Sequence, residues 1–436
     1  MYQTFEEVKE IIEKEGVSSI ELQFSDIHGR DKIVEVPSNK IKNLIEGGCW
    51  FDGSSVEGYG RIMESDKRLK PILNTFAILP WRNNHIEKVG RFICEIYNPD
   101  GSRYEGDPRY ILEKVVKEAR AKGFIYNVGP EPEFFILNQD FNPHDQAGYF
   151  DSDRDLGKEI RMEIVRALKS FNIEFEASHH EVSKGQHEID FEYSDALTTA
   201  DNIMTFKRVV RSVVKSKALI ATFMPKPFID KNGNGMHVHQ SLFNFEGKNL
   251  FFDQNDKYHL SGLAYNFMAG QIDHIRAITA LANSTVNSYK RLIPGYEAPT
   301  RIAWGQRNRS ALIRVPDYTP GKEDSVRFEL RSPDPMCNPY LVFAVMLKAG
   351  LDGIEKNLTP PPPVEGSLYE LNEEELLRRN IEVLPKSLRR AIEDLEKDYI
   401  IDRVLGSLLE DYSFTKRKDY RNYHEQITEW EKKVYL

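Results

Sequence analysis

Residues 129–137 read GPEPEFFIL, two glutamates on alternate positions ahead of four large apolar residues. The apolar run marks a strand entering a core, and residues two apart on a strand point to the same face. Glu131 and Glu133 therefore share one side. About 6.5 Å apart, they repel by roughly 2–3 kcal/mol at an effective dielectric near 20. That is tolerable at an exposed strand end, where acids are common. Held inside, the pair needs a cation. The rest of the chain decides between the two.

Three further segments alternate in the same way. HHEVSKGQHEIDFEY (179–193) sets Glu181 and Glu188 on either side of a Lys-Gly turn. NGNGMHVHQSLF (232–243) puts His237, His239 and Ser241 on one face behind a glycine-rich turn. SVRFELRSPDP (325–335) turns Val326, Phe328 and Leu330 one way and Arg327, Glu329 and Arg331 the other. Taken singly, these have ordinary meanings: a hydrogen-bonded core histidine, a surface salt-bridge ladder. Joined in one curved sheet, they collect five glutamates, one or two histidines and two arginines on its concave side. Five carboxylates cannot lose water together without cations. Oxygen-rich surroundings with one imidazole suit Mg²⁺ or Mn²⁺ better than zinc or copper. Hard metals beside arginines are what phosphoryl transfer from ATP requires. The chain has no GxxxxGK[ST] loop, no kinase signature and no GxGxxG after a strand, so metals and arginines would hold the phosphates.

The 436 residues predict two or three domains with room for a large core. Charged residues make up 29% and hydrophobic ones 40%, an ordinary globular balance. A net charge of −9 without a basic stripe argues against nucleic acid as a partner. Cys49, Cys94 and Cys337 have no paired spacing, which suits a reducing compartment and excludes a CxxC site. MYQTFEEVKEIIEKEG reads as an acidic amphipathic helix and no apolar run is long enough for a bilayer, so a cytoplasmic protein without membrane contact is expected.

The turn-rich NPDGSRYEGDPR (98–109) divides a first domain, 1–103, from a larger one, 104–436. A helix from Pro108 leads into GPEPEFFIL. Further helices are expected over 155–171, 195–218, 258–284, 338–357, 373–379 and 386–411, with a polar, aromatic-rich tail from Lys416. The proline run TPPPPVEG (359–366) is expected to leave the main body.

FDGSSVEGY (51–59), GPEPEFF, HHEVSKGQHE, NGNGMHVH, KRLIPGYEAP (290–299), RNRSALIR (307–314) and RFELRSPDP stand in one order along the chain. From about residue 16 to the tail, the chain resembles glutamine synthetases of the bacterial and archaeal type I. The resemblance implies an α+β fold: a small β-grasp domain, then a catalytic domain with a curved antiparallel sheet backed by helices, as in the glutamine synthetase and guanido kinase fold. It implies ligation of ammonia to glutamate through γ-glutamyl phosphate, with ATP as substrate and two to three Mg²⁺ or Mn²⁺ per subunit. Glu133, Glu181 and Glu188 would hold one metal; Glu131, His237 and Glu329 would hold another. Asn232, Gly233, Arg291, Glu297, Arg309 and Arg331 match glutamate-binding positions. Tyr193, His239, Ser241, Arg309, Arg314 and Arg327 match nucleotide- and phosphate-facing positions. Asp52, with Ser55 and Glu181, matches the ammonium site. Its carboxylate would take a proton from ammonium, which calls for surroundings that raise its proton affinity. Glu297 matches a flap glutamate, hinged at Gly295. The implied assembly is a homododecamer of two stacked hexamers with active sites between adjacent subunits, regulated by metabolites or small proteins of nitrogen control.

The segment NPHDQAGYFD follows GPEPEFFIL without the insertion of the longer, adenylylated branch, and Tyr369 in SLYEL has a poor setting for modification. GYGRIMESD (58–66) resembles the shorter branch, in which Arg61 would link the site to glutamine feedback; a plain interface salt bridge is the other reading. Two alternatives stay open: a ligase of the same superfamily that uses a polyamine, and a scaffold that has lost catalysis. All six metal-site residues are present, which weighs against the scaffold.

Overall fold

The computed structural model describes residues 4–59, 65–83 and 87–436. The first helix, Phe5–Glu15, starts from a capping box in which Thr4 Oγ accepts from Glu7 N at 3.3 Å and the Glu7 carboxylate accepts from Thr4 N at 3.0 Å. It ends at Gly16, whose φ of 66° is the left-handed turn glycine permits. Six strands follow: β1 (Ser19–Ser25), β2 (Asp31–Pro37), β3 (Cys49–Asp52), β4 (Asp66–Pro71), β5 (Ala77–Asn83) and β6 (Lys88–Tyr97). They run in the order β2-β1-β6-β4-β3 with β5 on β6; β1 and β6 are parallel and the other pairs antiparallel. Val8 and Ile12 of the helix pack on Ile20, Leu22 and Phe92 of the sheet, closing a small core.

The second sheet has nine strands: β7 (Ile125–Leu137), β8 (Phe175–His180), β9 (Gln186–Phe191), β10 (Ser194–Asp195), β11 (Ile220–Thr222), β12 (Met236–Phe243), β13 (Trp304–Gln306), β14 (Ile313–Val315) and β15 (Phe328–Leu330). Its order is β13-β14-β15-β12-β7-β9-β8, with β10 and β11 also on β7. All pairs are antiparallel except β13 with β14. The period-2 reading of β7 holds. Tyr126, Val128, Phe134 and Ile136 enter the main core, where helices Pro108–Ala121, Ala196–Ser216 and Pro339–Glu355 meet them. Asn127, Gly129, Glu131 and Glu133 line the cavities on the other face. Helix Pro339–Glu355 is buried around nearly its whole circumference and forms the axis of the core.

Three sequence expectations are corrected. The stretch 258–284 is two helices, Gly262–Asp273 and Ile275–Ala282, parted at His274, whose ring sits 2.7 Å from Asp398 and 3.1 Å from Asp352. The stretch 386–411 holds Leu388–Leu395, Tyr399–Leu405 and the start of Leu408–His424, because Ser387 and Asp398 each cap a new helix. The proline run does not leave the body. Pro361 O accepts from Trp304 Nε1 at 2.6 Å, Val364 N donates to Trp304 O at 2.8 Å, and Val364 and Leu368 pack with Ala303 and Ala311.

Candidate active site

Two cavities open on the face of the second sheet away from the core. The larger, of about 500 Å³, is lined by Glu131, Glu133, Glu181, Glu188, Asp190, His237 and five residues with basic or amide groups, Asn232, Arg291, Arg309, Arg314 and Arg331. The smaller, of about 260 Å³, is lined by Tyr193, His239, Ser241 and Arg327 among others. Glu131 and Asp190 line both.

Strand register brings the acids together. β7 pairs His237 of β12 with Glu131, and on its other side pairs Glu188 of β9 with Glu133. Glu329 of β15 lies opposite His239. A ligand atom from each of Glu131, His237 and Glu329 falls within 4.8 Å of the others. Glu329 is fully buried and accepts from Arg331 Nη1 at 2.5 Å and from Arg314 Nε. Burial pushes its carboxyl up, but Arg331 and the two histidines outweigh that and hold it at about 2. Glu131 behaves alike: burial raises it, while His239, at 2.8 Å, and His237 bring it well below the usual range. Burial and Arg331 bring His237 down to about 4.

The acids beyond β7 stand differently. Burial and the neighbouring charges of Glu181 and Glu188 push Glu133 well above the carboxylate range. Burial, then Glu131, Glu181 and Glu329, do the same to Glu188. Asp190 is pushed up to about 9, first by burial and then by Glu188, and its Oδ1 is buried without a hydrogen-bond partner. Neutral donors serve Glu133 Oε2: Gln186 Nε2 at 2.7 Å and Gly235 N at 2.9 Å. His179 stands between Glu181, at 3.4 Å, and Glu188, at 3.2 Å.

The glycines of NGNG are demanded by close approach. A Cβ on Gly233 would lie 2.1 Å from Pro225 O, and one on Gly235 would lie 2.7 Å from Arg291 Nη2. Arg291 is itself held by the carbonyls of Ser332, Pro333 and Arg331 at 2.7, 3.2 and 3.2 Å. At the cavity mouth Asn232 Nδ2 donates to Glu297 at 2.8 Å. Glu297 takes a left-handed φ of 56° two residues after Gly295, while Lys226 Nζ sits 3.5 Å from the centre of the Tyr296 ring. Arg327 Nε donates to His239 Nδ1 at 3.0 Å, and the Tyr193 ring stacks towards Phe243 at 6.4 Å.

Most sequence-selected residues thus meet at one place. Asp52 and Ser55 line neither cavity of their own chain. Asp52 is exposed, and hydrogen bonds from Ser54 and Ser55, the hydroxyls at 2.7 Å, lower its carboxyl, the reverse of the raised proton affinity expected for it. Arg61 lies outside the described residues. Tyr369 lies near the flap, its hydroxyl donating to Ala298 O at 3.0 Å. Sequence reasoning passed over Asp190 and His179. Each is two residues from a selected acid, Glu188 and Glu181, so the spacing rule applied to Glu131 and Glu133 would have found both.

Fold and site together define a class: a two-domain enzyme that sets paired acid clusters and arginines on a curved sheet to handle a charged substrate. Comparisons with known proteins place the chain within it. Residues 16–99 match the family model for the glutamine synthetase beta-Grasp domain, and 105–435 the glutamine synthetase catalytic domain. Glutamine synthetase of Halobacterium salinarum is 47% identical over 433 residues, covering 98% of this chain and 95% of the relative. That of Thermotoga maritima is 47% identical over 442 residues, 99% of each. Among solved structures, a GmaS/ADP complex superposes with a TM-score of 0.89 at 32% identity, covering 98% of each chain. Plasmodium falciparum glutamine synthetase gives 0.90 at 27% identity, covering 100% of this chain and 99% of the other. The chain belongs to the glutamine synthetase family.

Proposed function

We propose that this chain joins ammonia to the γ-carboxylate of L-glutamate, converting ATP to ADP and phosphate by way of γ-glutamyl phosphate. The observation that carries the reading is the junction of the two cavities at Glu131 and Asp190. A nucleotide in the smaller one, beside Tyr193, His239, Ser241 and Arg327, would direct its terminal phosphate at an amino acid in the larger. ADP in the GmaS complex and the shared name of the curated relatives support it.

The donor set fits divalent metals: buried acids that repel one another, an orphaned Asp190 oxygen, and one histidine between two glutamates. Glu133, Glu181 and Glu188 would hold one ion and Glu131, His237 and Glu329 a second. When bound, two or three Mg²⁺ or Mn²⁺ supply positive charge that offsets the carboxylates and the phosphate oxygens. Arg291, Arg331, Asn232 and Gly233 orient glutamate. In the first step a γ-carboxylate oxygen bonds to the terminal phosphorus as the bond to the ADP oxygen breaks. Arg309, Arg314 and Arg327 offset the charge that spreads over the phosphoryl oxygens. In the second, ammonium gives one proton to Asp52 of a neighbouring copy, the freed nitrogen bonds to the acyl carbon, and the bond to phosphate breaks, a second proton leaving the nitrogen with the phosphate. Glu297 closes the mouth, because the acyl phosphate hydrolyses in water. Asp52 of a neighbouring copy binds the ammonium cation; its lowered carboxyl favours that electrostatic role. The assembly is then a homododecamer of stacked hexamers, working in the cytoplasm and controlled by metabolites directly, without modification at Tyr369.

The test is direct. With ATP, Mg²⁺, glutamate and ammonium, glutamine should form in step with phosphate, and hydroxylamine in place of ammonium should give γ-glutamyl hydroxamate. Loss of both products would overturn the reading. Faster turnover with putrescine than with ammonium would reassign the chain to amine ligation.

A further inference from the structure

We propose that a cavity between the two domains, away from the active site, binds a small oxyanion, carboxylate or phosphate, on the guanidinium of Arg91. The cavity, of about 200 Å³, lies between the first sheet and helix Ala196–Ser216. Arg91 projects from β6 and is 3% exposed. Of its five N–H donors one is used, by Thr205 Oγ at 3.3 Å; Nε and Nη1 are buried without a partner. The Phe171 ring lies against its guanidinium, the ring centre 5.0 Å from Cζ.

The acid that should pair with it is occupied. Asp201 lines the same cavity, but both its oxygens are taken by Arg109, at 3.0 and 2.9 Å, and Tyr340 adds a third bond at 2.7 Å. The lining therefore holds two guanidinium groups against one carboxylate. Burial, and then the charge of Arg208, bring Arg91 down to about 10, and the nearby charges of Asp201 and Asp31 offset this only in part. Nature keeps buried charges paired, and an arginine left alone in a polar cavity is a ready receptor for an oxyanion. Asn74 and Asn172, both exposed, stand at the mouth with amide donors. The volume exceeds several waters at about 30 Å³ each, so a phosphate-sized ion fits with part of its shell. An ion there would tie β6 of the first domain to the helix of the second.

Two measurements on the assembled full chain test this. Crystals soaked in selenate should show an anomalous selenium peak within hydrogen-bonding distance of Arg91, distinct from any in the active site, and Arg91→Met should remove only that peak. In solution, phosphate or acetate at constant ionic strength should raise the unfolding midpoint by roughly 1–3 °C relative to chloride, through an Arg91-dependent part lost in Arg91→Met. The larger shift of the two names the anion class. A cavity holding only water, no selenate peak at Arg91, or a peak with no Arg91-dependent shift in solution, would overturn the proposal. Should Arg91→Met fail to assemble, Arg91→Lys, which keeps charge but loses the planar fork, should weaken the shift; an unchanged shift would also overturn it.

Discussion

The two acid clusters on either side of β7 solve the same electrostatic problem in opposite ways. Glu131 and Glu329 are supplied with partners by the chain itself: Arg331 and Arg314 reach Glu329, ring nitrogens of His237 and His239 reach Glu131, and both carboxyls sit far below their ordinary range. Glu133, Glu181, Glu188 and Asp190 are served by neutral donors, by His179 and, at Glu133, by the charge of Arg291, yet burial and mutual repulsion leave all four pushed up. A cluster already neutralised by arginines is a rigid platform. One that is not has most to gain from an external cation. The active site would thus combine a built half with a half completed by its ligand.

Activity should show the largest effect of breaking this arrangement. Glu329→Ala removes the acid that joins Arg331 and Arg314, and glutamine formation should fall by roughly 10²–10³-fold or more, with the oligomer intact by sedimentation. Wild-type turnover would remove Glu329 from the site. Asp52→Ala should spare ATP and glutamate binding yet block the ammonia step. Mixing these two variants should restore part of the activity if each site draws on two chains; verified mixed oligomers without rescue would sink the shared-site reading.

Stability in the presence of a chelator separates the halves without reference to turnover. Glu329→Gln leaves buried Arg331 and half-buried Arg314 short of an anion and should cost roughly 3–5 kcal/mol in denaturant titrations. Glu133→Gln relieves repulsion, keeps an acceptor for Gly235 N and Gln186, and should be neutral or stabilising. Equal losses in the two variants would erase the distinction. Adding Mg²⁺ or Mn²⁺ should then narrow the gap between the two variants. Saturation a hundredfold above Kd stabilises by about 2.7 kcal/mol in a one-site case, and Glu133→Gln should forfeit most of that gain.

The parts of this picture that the sequence carried are those set by short periods. Alternation along 129–137 put Glu131 and Glu133 on one face, and the register of β7 with β9 and β12 did the rest. What alternation could not carry is which carboxylates have arginines beside them, since Arg314 reaches Glu329 across a strand pairing fifteen residues away. The helix break at His274 was hidden for the same reason, since its ring contacts with Asp352 and Asp398 come from distant segments. The break at Asp398 is a local N-cap on Ile400 and Ile401 that the apolar periodicity runs through. The proline run was misjudged because its anchor, Trp304, lies far back in the chain.

A third acid group shows a further way to settle buried carboxylates, and it yields the smallest expected effect. Asp352 and Asp398 share His274, which is 5% exposed, at 3.1 and 2.7 Å. Burial pulls the imidazole down, but the hydrogen bonds it donates to Asp398 and Asp352 outweigh it and the net shift is upward. Here a proton does the work that a metal would do beside Glu133. A histidine whose folded value is raised contributes stability that is complete below its ordinary, unfolded value. The contribution is lost as pH climbs from that value through the raised one. Chelator should leave it untouched. His274→Asn, which cannot take up the proton, should cost roughly 1–3 kcal/mol in mildly acidic buffer and less at alkaline pH, flattening the pH dependence across that window. Midpoints measured for both proteins over the window, with and without chelator, check this. A loss that is the same at every pH would mean that His274 is held neutral, and that proton and metal are not alternative solutions to one problem in this fold.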